Sequence, residues 1–134
     1  MTVATVAQKT VLVIEDDPWT RTITTALLAG EGFAVVEAKN GEEGLKQARL
    51  HVPDAILLDL ALPTKSGLEV LRELKSEPPT QDIPVIVVSA YGTLMNENDA
   101  IQAIGVIQKP FDYDDLVSQV ERATSVRSLE VALT

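Results

Sequence analysis

The chain has 134 residues, of which 46% are apolar, and its 20 acidic and 11 basic side chains give a formal net charge of -9. This length suits one domain with a sizeable core, the absence of cysteine excludes disulfides and thiolate metal sites, and the acidity argues against nucleic-acid binding. The first ten residues lack the pattern of a secretion signal and no apolar run could cross a bilayer, so we expect a cytoplasmic protein without membrane contact.

Five short apolar runs predict β-strands. The runs are continuous and mostly β-branched, which is typical of strands that are buried on both faces of a parallel sheet. In chain order they are residues 11–14, 33–36, 55–58, 85–88 and, more weakly, 106–107.

Segments with helical periodicity lie between the strands. Asp17, Ser66 and Asp112 are suitable helix N-caps, and Phe111 can pack as a hydrophobic staple behind the last of them. Poor helix formers and loose apolar spacing in residues 94–104 predict a short or mobile helix. The predicted apolar stripes are Trp19, Ile23 and Leu27; Leu45, Ala48 and Val52; Leu68, Leu71 and Leu74; and Leu116, Val120 and Ala123.

Strands and helices therefore alternate five times. This alternation predicts an α/β fold with parallel strands, right-handed crossovers and helices on both faces of the sheet. In open sheets of this kind, ligands bind beyond the carboxyl ends of the strands. The residues that follow the strands are therefore the candidates for function.

Acidic, hydroxyl and basic side chains follow four of the five strands. Carboxylates that lie close together repel one another unless a cation lies among them, and Mg²⁺ prefers such oxygen ligands. With one histidine, His51, and no cysteine, a zinc site is a weak alternative. The strand-end residues are Glu15, Asp16 and Asp17 after the first strand, Asp59 after the third, Ser89 after the fourth and Lys109 after the fifth.

The sequence from about residue 10 to residue 124 resembles the receiver domain of response regulators, the CheY-like phosphoacceptor module of two-component signalling. Each matching motif is common alone, but four motifs in order at strand ends are specific. They are VLVIEDDP at 11–18, DAILLDLALP at 54–63 with Gly67 shortly after, VIVVSAYG at 85–92 and KPF at 109–111.

The resemblance implies a doubly wound (βα)5 fold whose five-stranded parallel sheet has the order 2-1-3-4-5. Residues 1–9 would be an N-terminal tail, 10–125 the receiver domain, and 126–134 a C-terminal tail or an extension of the last helix. The chain could be a stand-alone receiver or a fragment of a larger regulator.

The resemblance also implies a role for each strand-end residue. Asp59 would be the phosphoacceptor that attacks the phosphohistidine of a partner kinase. Mg²⁺, the one cofactor implied, would be bound by Asp16, Asp59 and the backbone carbonyl of Ala61, with Glu15 reaching it through water. Lys109 and Ser89 would contact the phosphoryl oxygens.

The implied function is a signalling switch rather than an enzyme, because it would catalyse only its own phosphotransfer and autodephosphorylation. Its partners would be a sensor histidine kinase or phosphotransfer protein and an unidentified downstream protein, with the receiver a monomer or a phosphorylation-dependent dimer. One alternative is an interaction module that works without phosphorylation. Another is a Mg²⁺-dependent phosphohydrolase. Such an enzyme would need a second catalytic acid two residues after Asp59, where this chain has Ala61, so this alternative is disfavoured.

Two positions depart from the family pattern or invite a different interpretation. The family commonly has an aromatic residue three positions before the lysine, where this chain has Val106, so Tyr91 is the candidate substitute. His51 precedes Val52 and Pro53, and we interpret it as a solvated helix-end residue rather than a phosphorelay histidine.

In the family that this chain resembles, the peptide bond that corresponds to the one between Lys109 and Pro110 is often cis.

Overall fold

A computed structural model describes residues 8–90 and 95–133, with side chains as far as Ser125. Residues 1–7 of the predicted tail and Tyr91 lie outside the described residues. The elements are, in chain order, β1 (Thr10–Ile14), α1 (Pro18–Gly30), β2 (Ala34–Ala38), α2 (Gly41–His51), β3 (Ala55–Asp59), α3 (Gly67–Ser76), β4 (Val85–Ala90), α4 (Glu97–Ala100), β5 (Gly105–Lys109) and α5 (Tyr113–Leu133).

The five strands form one parallel sheet in the order β2-β1-β3-β4-β5, which confirms the predicted fold. Strand β1 pairs Leu12 with Val36 of β2 on one side and with Ile56 of β3 on the other. All strand ends that carry the candidate residues therefore lie along one edge of the sheet.

The core has two layers, one on each face of the sheet. Successive side chains of a strand point to opposite faces, so Leu12 and Ile14 pack with α2 and α3, whereas Val11 and Val13 pack with α1 and α5. Every residue of β1 from Val11 onward is at most 2% exposed. This burial on both faces explains why the strands are apolar throughout.

Helix α1 corrects one prediction. Trp19 is 72% exposed and Ile23 and Leu27 are only partly buried, while Thr24 and Leu28 face the core. The buried stripe thus lies one residue further along the chain than predicted. Because a threonine belongs to it, the period of apolar residues alone indicated the neighbouring stripe.

The end of α2 corrects another prediction. Leu45 and Ala48 are buried as expected, but Val52 is 41% exposed and serves as the C-cap with φ 42° and ψ 65°. This left-handed conformation ends the helix before Pro53 and turns the Val52 side chain away from the predicted stripe. The short helix predicted within residues 94–104 is confirmed, since α4 has four residues.

Side-chain caps begin the helices where the sequence predicts them. Asp17 Oδ2 accepts a hydrogen bond from the Thr20 amide at 2.8 Å, Ser66 Oγ from the Glu69 amide at 3.2 Å, and Asp112 Oδ1 from the Asp114 amide at 2.8 Å. The predicted stripes of α3 and α5 are buried apart from Leu68, which is half-buried, and α5 continues to Leu133. Within the described part of the chain, no helix is both long and apolar enough to cross a membrane.

Candidate active site

The carboxyl edge of the sheet brings together side chains from three strands that are distant in sequence. Lys109 Nζ, at the end of β5, donates hydrogen bonds to Glu15 Oε1 at 2.8 Å and to Asp59 Oδ2 at 2.9 Å. The peptide bond between Lys109 and Pro110 is cis. Lys109 thus joins the loop after β1 to the end of β3.

Three carboxylates cluster at this edge. One oxygen from each of Glu15, Asp16 and Asp59 lies within 4.8 Å of the others. Glu15 and Asp59 are buried, at 5% and 4% exposure, whereas Asp16 is exposed. The cluster therefore opens to solvent on the side of Asp16.

Backbone amides orient the two buried carboxylates. Glu15 Oε2 accepts a hydrogen bond from the Asp17 amide at 3.2 Å, and Asp59 Oδ1 accepts one from the Ala61 amide at 2.9 Å. Together with Lys109, these bonds give every oxygen of the two carboxylates one donor. Each oxygen can still offer a second lone pair to a cation.

Burial and mutual contact shift the pKa values of the two buried acids in opposite directions. Burial first, and then the hydrogen bond to Asp59, raise the pKa of Glu15 to about 7, against the opposing effects of Lys109 and the Asp17 amide. Burial acts to raise the pKa of Asp59 as well, but the hydrogen bonds of Glu15, Lys109 and the Ala61 amide outweigh it and lower that pKa. One ammonium therefore does not fully offset the burial and close contact of these acids.

The residues present fit a hard divalent cation. All three clustered side chains offer carboxylate oxygens, which are the ligands that Mg²⁺ prefers. A cation among them would also favour the charged form of Glu15, whose pKa is raised by burial and by contact with Asp59. The donor set and its charge thus agree with the Mg²⁺ expected from the sequence.

Gly67 lets α3 begin directly against the end of β3. A Cβ at this position would lie 2.3 Å from the Asp59 carbonyl oxygen and 2.5 Å from the Leu60 Cα. The Gly67 amide donates a hydrogen bond to the Leu60 carbonyl at 3.1 Å. Any larger residue would push on the backbone that carries Asp59.

Of the other predicted residues, Ser89 lies at this edge, whereas Val106 and His51 lie away from it. Ser89 is buried at 4% exposure near the end of β4, where it pairs with Gln108 of β5. Val106, at the position where the family commonly has an aromatic residue, is 47% exposed on β5. His51 is exposed at the C-terminal end of α2.

Sequence reasoning missed Arg21. Its Nη1 donates hydrogen bonds to the backbone carbonyls of Glu15 at 2.8 Å and Asp16 at 3.4 Å. A basic residue one turn into the helix that follows an acidic loop was the available signal, because such a side chain can reach back to the loop.

The parallel sheet, with clustered acids and a lysine at its carboxyl edge, has the architecture of a receiver module. The chain belongs to the response regulator receiver domain family, whose model matches residues 11–121. It is a two-component receiver domain, homologous to the response regulators ZraR, NtrC and PhoB.

Comparisons with individual proteins agree with this family assignment. The chain is 35% identical over 115 residues to the transcriptional regulatory protein ZraR of Escherichia coli, and the match covers 84% of the chain but 26% of ZraR. The chain thus spans about a quarter of the length of this relative.

Two solved structures share the fold. A CheY-like response regulator receiver domain protein from Methanospirillum hungatei JF-1 is 25% identical with a TM-score of 0.82, covering 92% of this chain and 99% of that one. The receiver domain of the sensor histidine kinase PA1611 from Pseudomonas aeruginosa PAO1 is 26% identical with a TM-score of 0.80, covering 89% and 99%. That structure has a magnesium ion coordinated in its active-site cleft.

Proposed function

We propose that this receiver accepts a phosphoryl group onto Asp59 from the phosphohistidine of a sensor histidine kinase or a phosphotransfer protein. The observation that carries the proposal is the buried Asp59 carboxylate, which shares Lys109 with Glu15 at an edge rich in negative charge. An Asp59 oxygen forms the new bond to phosphorus, the bond between phosphorus and the imidazole nitrogen breaks, and the histidine leaves with the electron pair. The product is an aspartyl phosphate.

Mg²⁺ is the proposed cofactor. Asp16, Asp59 and the backbone carbonyl of Ala61 would bind it directly, and Glu15 would do so through water. When bound, Mg²⁺ supplies positive charge for the phosphoryl oxygens. The magnesium ion in the PA1611 receiver domain supports this assignment, as does the agreement between the donor set and a hard cation.

Lys109 and Ser89 are proposed to bind the phosphoryl group once it is on Asp59. Lys109 is ammonium, because its two carboxylate partners raise its pKa even though burial acts in the opposite direction. It would exchange part of its contact with Glu15 and Asp59 for a phosphoryl oxygen. The Ser89 hydroxyl, near the end of the adjacent strand, would donate a hydrogen bond to another oxygen.

The consequence of phosphorylation would be altered binding of a downstream protein, and the phosphoryl group would leave by autodephosphorylation. Phosphorylation adds negative charge to an edge that already has an excess of it, so local rearrangement is expected. The new contacts of Lys109 and Ser89 would change the conformation at the carboxyl ends of β4 and β5. The receiver would act as a monomer or as a phosphorylation-dependent dimer.

The test is phosphorylation by acetyl phosphate, followed by intact mass and by the base lability of the modification. We expect one phosphoryl group on the native protein with Mg²⁺, none with EDTA, and at least a 100-fold slower reaction in Asp59→Asn. Asp54→Asn is the matched control, because Asp54 precedes β3 and its carboxylate accepts the Thr10 amide at 2.8 Å, away from the carboxyl edge. Equal modification of Asp59→Asn, or an inert native protein, would overturn the proposal and favour an interaction module that works without phosphorylation.

A further inference from the structure

Arg21 contacts the backbone of the loop after β1, which contains Glu15 and Asp16, rather than the carboxylates of that loop. Its Nη1 donates to the Glu15 carbonyl at 2.8 Å and, more weakly, to the Asp16 carbonyl at 3.4 Å. The side chain is 20% exposed, so most of it is packed. The two residues whose backbone it holds supply two of the three clustered carboxylates.

The contact with Asp16 orients a whole peptide unit. The carbonyl of Asp16 and the amide of Asp17 belong to the same planar peptide, in which C=O and N–H point in opposite directions. Arg21 holds the carbonyl side, and the amide side donates to Glu15 Oε2 at 3.2 Å. The guanidinium therefore helps to aim the hydrogen bond that orients the Glu15 carboxylate.

The same side chain ties the loop to the neighbouring strand. Arg21 Nε lies 3.6 Å from Glu37 Oε1 on β2, and the Glu15 amide donates to the Ala38 carbonyl at 3.0 Å. The loop after β1 is thus attached to the end of β2 at two adjacent positions. Arginine suits this role, because its planar fork presents several donors at once.

We propose that Arg21 is a positioning residue for the divalent-cation site: it holds the loop so that the Glu15 and Asp16 carboxylates converge before the cation arrives. This inference rests on the Mg²⁺ binding of the proposed function. Groups that orient metal ligands typically change metal affinity 10- to 100-fold when they are removed.

Electrostatics and positioning predict opposite results for Arg21→Met. Removing a positive charge near the site should tighten cation binding if the guanidinium acts through its charge alone. Removing the donors that hold the loop should weaken binding if Arg21 positions the ligands. The direction of the change in affinity thus separates the two roles.

The experiment is calorimetric titration of the full chain with MgCl2 at fixed ionic strength. We expect Arg21→Met to raise the Kd for Mg²⁺ about 10-fold, and Arg21→Lys, which keeps the charge but not the fork, to raise it by an intermediate factor. Arg49→Met is the matched control, since it removes the same charge from a different ion pair. Arg49 Nη2 lies 2.6 Å from Glu77 Oε1. Its Kd should stay within about twofold of the native value.

Urea unfolding and phosphorylation at saturating Mg²⁺ complete the test. A positioning role predicts that the phosphorylation rate of Arg21→Met recovers as Mg²⁺ saturates, whereas general loss of structure would not be repaired. Tighter or unchanged Mg²⁺ binding in Arg21→Met would overturn the inference, and if that variant does not fold, a native Kd in Arg21→Lys would overturn it. A native protein that binds no Mg²⁺ would instead refute the proposed function.

Discussion

Two buried aspartates of this protein, Asp59 and Asp99, both meet a cation but lie in different balances of charge. Asp99, on α4, is 3% exposed and receives two hydrogen bonds from the Arg72 guanidinium on α3, at 3.0 and 2.8 Å. Asp59 is 4% exposed and shares one ammonium, Lys109, with Glu15. The first is a one-to-one pair, and the second belongs to a cluster of acids with too little positive charge.

The pKa values express this difference. The hydrogen bond from Arg72 lowers the pKa of Asp99, so this carboxylate is stable as an anion in the fold. In the acidic cluster, burial and Asp59 raise the pKa of Glu15 to about 7. The pair of Arg72 and Asp99 joins two helices and is electrically neutral. The cluster around Lys109 carries excess negative charge, which only a proton or a further cation can neutralise.

The largest expected effect comes from removing the one ammonium of the cluster. Lys109→Met should destabilise the magnesium-free protein by about 2–3 kcal/mol, because it leaves two buried carboxylates without their cation. Urea unfolding in EDTA measures the change, and added Mg²⁺ should recover part of it. Lys46→Met, an exposed position on α2, is the control and should stay within about 0.5 kcal/mol of the native protein. Equal effects of the two variants would contradict the charge imbalance.

A smaller effect of opposite sign is expected for Glu15→Gln, which should stabilise the magnesium-free protein by about 2 kcal/mol at alkaline pH. The pKa of Glu15 rises from its ordinary value of 4.5 to about 7 on folding, so the folded state binds more protons between these values. Native stability should therefore fall as the pH rises through this window. Glutamine carries no charge at any pH, so the gain should disappear toward pH 4.5.

Urea unfolding in EDTA at a series of pH values checks this result. Added Mg²⁺ should stabilise the native protein more than Glu15→Gln, because the variant lacks one of the clustered carboxylates. A loss of stability on substitution at alkaline pH would show that the cluster is balanced without a metal.

The smallest of the three effects is expected at the balanced pair. Asp99→Asn should destabilise the protein, but by less than Lys109→Met, because the Arg72 side chain is 53% exposed and water screens the pair. The pKa of Asp99 is lowered, so its contribution is complete above the ordinary value of 3.8 and is lost only as the pH falls below it. The loss should thus be constant between neutral and mildly acidic pH, where the gain from Glu15→Gln changes. A stabilising Asp99→Asn would remove the contrast between the two regions.

Much of the fold could be predicted because burial on both faces makes each strand apolar along its length. Leu12, Ile56 and Val87 are completely buried in three adjacent strands, and the sequence alone indicates such strands. The exposure of Trp19 and Val52 could not be predicted, since a periodic pattern does not show which stripe of a helix faces the core or where its last turn ends. Thr24 is buried and Trp19 is exposed, against the usual hydrophobic order.

The candidate site divides in the same way. Glu15, Asp59 and Lys109 could be predicted to meet, because parallel strands present their carboxyl ends at one edge. The atoms that Arg21 and Arg72 contact could not be predicted, because each joins a helix side chain to a partner whose place depends on packing.

Local periodicity, capping and the direction of the strands are enough to predict the parallel α/β sheet, the helix caps and the edge at which the acids and Lys109 gather. The packing of the folded chain sets how far the carboxylates converge, which oxygens Lys109 and the backbone amides contact, and the rise in the pKa of Glu15 to about 7. Those properties depend on distances of a few ångströms and on burial between segments far apart in the chain, and no local pattern of residues specifies them.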